Sequence, residues 1–220
     1  MAVIHETTLS PGKLELLAAW LPAQQWYTKN AGAPELSRAG GFRLDDPDGE
    51  VGMEFMVVTD TSGSRPVSYQ VPLSYRGAPL DGADDGLVGT TEHGVLGRRW
   101  VYDGAHDPVL VGELLALLQG RAEPQHQTKS DTRETSVTSH YTGNVPLDLG
   151  TLTKVTNTPD GTDVHVRTDP LGPLTIKLTR ALRPGGEAPA DALGRVEAAW
   201  SPPGGDQPRG TFAVLAPAAR

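Results

Sequence analysis

A chain of 220 residues with a net charge of −8 and no cysteine has room for one large or two small domains, and excludes disulfides, thiolate metal sites and a Cys nucleophile. Residues 1–125 carry 17 acidic and 9 basic side chains, against 10 and 10 in residues 126–220, so the acidic excess of the first part repels phosphate and argues against a nucleic-acid partner. The opening MAVIHETTLS has no basic segment before an apolar run, and the longest apolar run, near residues 109–118, is about half of what a bilayer requires. A cytoplasmic protein with no membrane partner is expected.

Residues 2–9 alternate in part and predict a first strand. Ser10-Pro11 reads as an N-cap followed by a first-turn proline. Leu14, Leu17, Ala18 and Leu21 then recur at helical spacing until Pro22 stops the helix. Strands follow at 36–44, 50–59 and 67–76, joined by the turn Asp46-Pro47-Asp48-Gly49 and by residues 61–64. In the third of these, Val67, Tyr69, Val71, Leu73 and Tyr75 alternate with Ser68, Gln70, Pro72, Ser74 and Arg76, which predicts one wet face. Pro72 cannot donate to a ladder and predicts an edge or a bulge.

Residues 90–92 and 96–102 flank His93-Gly94 as a hairpin. Asp107-Pro108 repeats the cap-and-proline start, and residues 109–118 are apolar almost all round, as in a buried helix. Gly120 is the expected C-terminal stop. Residues 123–149 are rich in Ser, Thr, Gln and Asp and read as a linker or surface loop with a short strand near 137–141. Only strands are predicted beyond it, at 152–157, 163–167, 174–182, 195–200 and 211–215. The expected fold is α+β: a curved antiparallel sheet covered by two helices over residues 1–122, then a small antiparallel all-β extension over 150–220.

No catalytic constellation emerges. The six histidines, His5, His93, His106, His126, His140 and His165, show no HxH or HExxH spacing, so no metal is expected. GxxxxGK[ST] and GxSxG are absent, and no cofactor is expected. Asp45, Asp46, Asp48 and Glu50 read as a solvated hairpin tip. The polar–aromatic set Glu92, His93, Arg98, Trp100 and Tyr102 is the candidate ligand or partner surface. On a strand, Arg98, Trp100 and Tyr102 share a face, where arginine beside tryptophan can stack on a sugar or grip a carboxylate. Trp26 and Tyr27 read as a hydrophobic plug between helix and sheet.

Three stretches carry a resemblance: WLPAQQWYTKNAG at 20–32, EFMVVTDTSGSRPVSYQVPLSYRG at 54–77 and YDGAHDPVLVGELLALL at 102–118. In this order and spacing they resemble the N-terminal cap domain of maltokinase-type sugar kinases, over roughly residues 1–120. The whole chain is similar to short, stand-alone cap-like proteins of high-GC actinobacteria. The resemblance implies a place near trehalose and α-glucan metabolism, where the kinase phosphorylates maltose with ATP. A phosphotransferase of this kind needs a catalytic-loop Asp and a metal-binding Asp in a C-terminal lobe. His106-Asp107-Pro108 sits instead at a helix start, and no catalytic-loop Asn follows it. Lys177 in Ile176-Lys177-Leu178 resembles the ATP-contacting lysine of a kinase N-lobe only superficially. The expectation is a non-catalytic binding or regulatory module whose partner is another protein, such as a sugar kinase or an enzyme of glucan metabolism. The alternatives are an ATP-dependent accessory chain using Lys177, and a carbohydrate-binding module that takes a small sugar on Trp100 and Tyr102.

Overall fold

The structure, a computed structural model, describes residues 8–186 and 189–218. His5 and most of the predicted first strand lie outside them; the described end of that strand is β1 (Leu9–Ser10), followed by helix α1 (Lys13–Trp20). Ser10 does not cap this helix. It pairs with Glu92, which keeps the chain extended through Gly12 at φ −73° and ψ 163°. Glu15, at the third helical position, then accepts the Gly12 N–H at 2.7 Å, the reciprocal half of a capping box, which holds the chain's entry into the helix. Pro22 does not end the chain's helical path at once: Leu21–Ala23 continue as a 3₁₀ turn with the proline in its first turn, where its missing N–H costs nothing.

Strands β2 (Leu36–Leu44), β3 (Gly52–Asp60), β4 (Val67–Arg76), β5 (Leu87–His93) and β6 (Gly97–Asp103) come next, then helix α2 (Pro108–Leu118). With β1 and β7 (Gln125–His126) they form a seven-stranded sheet in the order β1-β5-β6-β4-β3-β2-β7. The remaining strands are β8 (Thr138–Tyr141), β9 (Asp148–Thr158), β10 (Gly161–Asp169), β11 (Gly172–Thr179), β12 (Gly194–Ala199) and β13 (Arg209–Pro217). They make a second sheet of six strands in the order β8-β12-β13-β11-β10-β9. The fold is α+β, rich in antiparallel sheet. Among the described residues no helix is long and apolar enough to cross a membrane.

The two helices do not share a face of the first sheet. Met56 and Val58 of β3 join Leu17 and Leu21 beside α1, whereas Met53, Phe55 and Val57, on the alternate positions, join α2 and the second sheet. That second core runs without a break from Phe42 and Phe55, stacked at 4.5 Å, through Leu110 and Leu114 to Ile176, Phe212 and Leu215. β3 is buried on both sides, as a central strand should be.

The polar row of β4 is not wet. Ser68, Gln70 and Ser74 are buried: the chain that leaves the second sheet covers Ser68 and Gln70, and Ser74 lies beside Asp107 at the start of α2. The Thr59 and Ser68 hydroxyls bond to each other at 2.8 Å. Gln70 donates through Nε2 to the carbonyls of Thr179 and Phe212. Beyond β11 the chain adds itself to the free side of β4: Gln70 N donates to Arg180 O and Leu182 N to Ser68 O, both at 2.8 Å. The β6 ladder on β4 begins only at Leu73. Pro72 thus sits at the gap between two partial neighbours, where no ladder donor is called for.

Arg180 closes this seam. Its side chain is fully buried and pairs at 2.6 Å with Asp103, which is 1% exposed. Its Nε donates to Thr162 Oγ1 at 2.8 Å, and its guanidinium lies 4.9 Å from the Trp26 ring centroid. One residue of the second sheet's chain therefore touches β6, β10 and the aromatic plug at once. Trp26 in turn packs against Trp20 and Tyr69 with centroids 5.8 and 5.9 Å away, so the plug joins helix to sheet.

Candidate functional site

The β5–β6 hairpin places the residues singled out from sequence along a gradient of exposure. Its register sets Glu92 opposite Arg98 and Thr90 opposite Trp100. Glu92 Oε1 accepts from Arg98 Nε at 3.0 Å, with both side chains about 60% exposed. His93 lies at the turn, where its Nδ1 accepts the backbone N–H groups of Val95 and Leu96 at 3.2 and 3.0 Å. Gly97 closes the turn at φ +70°, a conformation that an L side chain resists. Arg99 donates back to the Leu96 carbonyl at 3.0 Å. The tip is thus held by its own polar groups, while Val95 at 61% and Leu96 at 46% exposure stand in solvent.

Further along the same face, Trp100 is half-buried and Tyr102 is buried. The Tyr102 hydroxyl accepts from Leu80 N at 2.9 Å, so this ring packs the base of the hairpin and is no open platform for a sugar. Arg98 and Glu92 are brought together at the tip. Trp100 and Tyr102 extend from them toward the interior. Lys177 is on the other sheet, half-exposed, with Asp163 Oδ2 at 3.9 Å. A carboxylate at that distance disfavours an incoming phosphate.

The His106-Asp107 pair has a structural explanation. Asp107 is wholly buried. It caps α2 by accepting from Val109 N at 3.0 Å, and it takes two hydrogen bonds of 2.7 Å from Arg76. Burial, the largest single influence, raises its pKa, but the bonds and charge of Arg76, with the Ser74 hydroxyl and the Val109 N–H, together hold the carboxyl below its usual value. Asp46, one of the acidic residues at the first hairpin, accepts from the N–H groups of Asp48, Glu50 and Val51; it organises the turn and does not project from it. Among the described residues no group of three or more His, Asp or Glu side chains is placed to hold a metal ion.

Sequence reasoning passed over Val95 and Leu96. The signal was present: hairpin tips are normally polar, and two adjacent large apolar residues at one are a departure from pattern. It also took Arg180 for the end of a plain strand, since its partners Asp103 and Trp26 lie 77 and 154 residues away, beyond the reach of any local pattern.

Against known proteins, residues 20–107 match the maltokinase N-terminal cap domain. The match takes in the end of α1, strands β2 to β6 and the turn into α2, less than half of the chain. No curated protein matches the chain.

Proposed function

We propose that this protein is a binding or regulatory module, without catalysis of its own, that docks another protein on the tip of its β5–β6 hairpin. Its setting would be the metabolism of trehalose or α-glucan in the cytoplasm, and its partner a sugar kinase or another enzyme of that metabolism. The observation that carries this reading is the tip itself. Two large apolar side chains are exposed side by side, within a cap-like segment, above the exposed Glu92–Arg98 pair. A small apolar centre with a charged rim is the anatomy of a protein-binding spot.

The accessory-kinase and sugar-platform readings draw less support. Lys177 faces Asp163, and the Tyr102 hydroxyl is engaged by Leu80.

The test immobilises the wild-type chain and a Val95→Asp/Leu96→Asp variant and compares what each retains from native lysate. The wild type should retain a partner in stoichiometric amount, and the variant, with an unchanged circular dichroism spectrum, should lose it. ATP-dependent phosphorylation of maltose by the purified protein alone would overturn the reading.

A further inference from the structure

The backbone N–H groups of residues 94–96 need acceptors, because this turn lies outside the β5–β6 ladder. Gly94 N donates to the Thr8 carbonyl at 3.2 Å. Val95 N and Leu96 N both donate to one atom, His93 Nδ1, at 3.2 and 3.0 Å. Two donors converging on a single ring nitrogen fix the path of the backbone between them. With it they fix the direction of the two apolar side chains that stand in solvent.

This arrangement sets the protonation state of the ring. Nδ1 accepts only when it carries no proton, so the ring is the neutral tautomer with its hydrogen on Nε2. An imidazolium carries N–H at both nitrogens. Its Nδ1 proton would face the Val95 and Leu96 N–H groups, three donors with no acceptor among them, and both bonds would be lost. Histidine ordinarily titrates near pH 6.5, within the range of roughly pH 5–8 where other side chains ordinarily keep their charge.

The charged groups nearby are placed by the register. Strand alternation puts His93 on the same face as Arg99, with Glu92 and Arg98 on the other. Arg99 donates to the Leu96 carbonyl, and Glu92 and Arg98 pair with each other. In β1, Leu9 lies opposite His93. On α1, which packs along β5, Lys13 is paired with Glu54 and Glu15 holds the Gly12 N–H.

We propose that His93 is a pH-sensitive latch of the hairpin tip: the neutral ring holds Val95 and Leu96 in the arrangement that docks a partner, and protonation releases them. The latch rests on hydrogen-bond geometry; its consequence for docking rests on the role assigned to the tip above. A tip already ordered binds without the cost of ordering it. Docking is therefore strong above the titration of His93 and weak below it.

The test follows amide resonances of the ¹⁵N-labelled full chain from about pH 7.5 to about pH 5 for the wild type, His93→Ala and His93→Asp. The ladder pairing of position 93 with Leu9 and Gly97 is a backbone matter, so the variants should keep the fold, which the remaining resonances check. In the wild type the Val95 and Leu96 amides should shift along one curve with the His93 ring. In His93→Asp a carboxylate can accept the same N–H groups and stays ionised down to about pH 5, so these amides should stay flat. In His93→Ala they should sit at the released position throughout. Each chain is then immobilised and offered native lysate at about pH 7.5 and about pH 5.5. Retention by the wild type should fall about tenfold, the scale of two lost hydrogen bonds, and retention by His93→Asp should not change. Val95 and Leu96 amides that ignore the His93 titration, or that titrate equally in His93→Asp, would overturn the latch whatever the lysate yields. Titrating amides with undiminished retention would overturn the gating of docking. Titrating amides with nothing retained at either pH would establish the latch and refute the docking role.

Discussion

Replacing Arg180 with Met should destabilise the protein far more than any exposed charge does. The substitution keeps most of the side-chain length and removes the guanidinium from a site that is fully buried. It strands Asp103, itself 1% exposed and left with one N–H partner, that of Ala105 at 3.2 Å. It also deprives Thr162 of its 2.8 Å donor and Trp26 of the cation over its ring. Breaking a buried pair from one side costs about 3–5 kcal/mol, because the remaining charge has no compensation. For a chain of this size that corresponds to a fall in Tm of roughly 6–20 °C. Arg180→Met/Asp103→Leu removes both charges, and should recover most of the loss. Urea unfolding of the wild type, both single variants and the double variant closes the cycle. A single-variant cost under about 1 kcal/mol, or no recovery in the double variant, would refute the reasoning that this pair is buried and locks the two sheets together.

Arg98→Ala should change stability by less than about 0.5 kcal/mol in the same assay, since the Glu92–Arg98 pair is mostly in water. Trp26→Ala should cost about 3–5 kcal/mol as a large-to-small core change, the indole being 3% exposed; a loss of a few tenths would show a free ring. Acid unfolding should follow from Asp60, Asp107 and Glu54. Burial works to raise each pKa, but bonds from Tyr27 and Ser62, from Arg76, and from Lys13 and Tyr75, respectively, hold each below its ordinary value. A depressed folded pKa means that stability is present above the unfolded value, near pH 4, and is lost as pH falls through the folded one. A Tm flat from pH 7 to 5 and dropping below about pH 4 is expected, and Asp107→Asn should flatten that drop.

The first sheet was legible where local chemistry is decisive. β2 and β4 match their predicted spans and β3 ends one residue beyond its own, because alternation and the Asp46–Gly49 turn act within a few residues. Asp107 capping α2 was equally local. The start of α1 was not, since Ser10 is claimed by a ladder with Glu92, 82 residues away. The wet face assigned to β4 failed for the same kind of reason. A row of Ser and Gln looks solvated in sequence, and only carbonyls from Thr179 and Phe212, more than a hundred residues on, satisfy Gln70 in a dry interface. At the candidate site, the sequence grouped Glu92 and Arg98 in one polar–aromatic set, and the register that pairs them came only with the structure. The burial of Tyr102, whose hydroxyl accepts from Leu80 N, and the exposure of Val95 and Leu96 depend on what packs nearby, which period-2 patterns do not encode.

The central claim, that the hairpin tip is a partner surface, is tested most directly by placing a photo-crosslinking amino acid at position 95 in cells. Position 171 serves as the control, because Leu171 is also exposed, at 46%, but sits in the turn after β10. A discrete adduct of one partner mass from position 95, and none from position 171, is the predicted result. Adducts from neither position, or from position 171 alone, would contradict it.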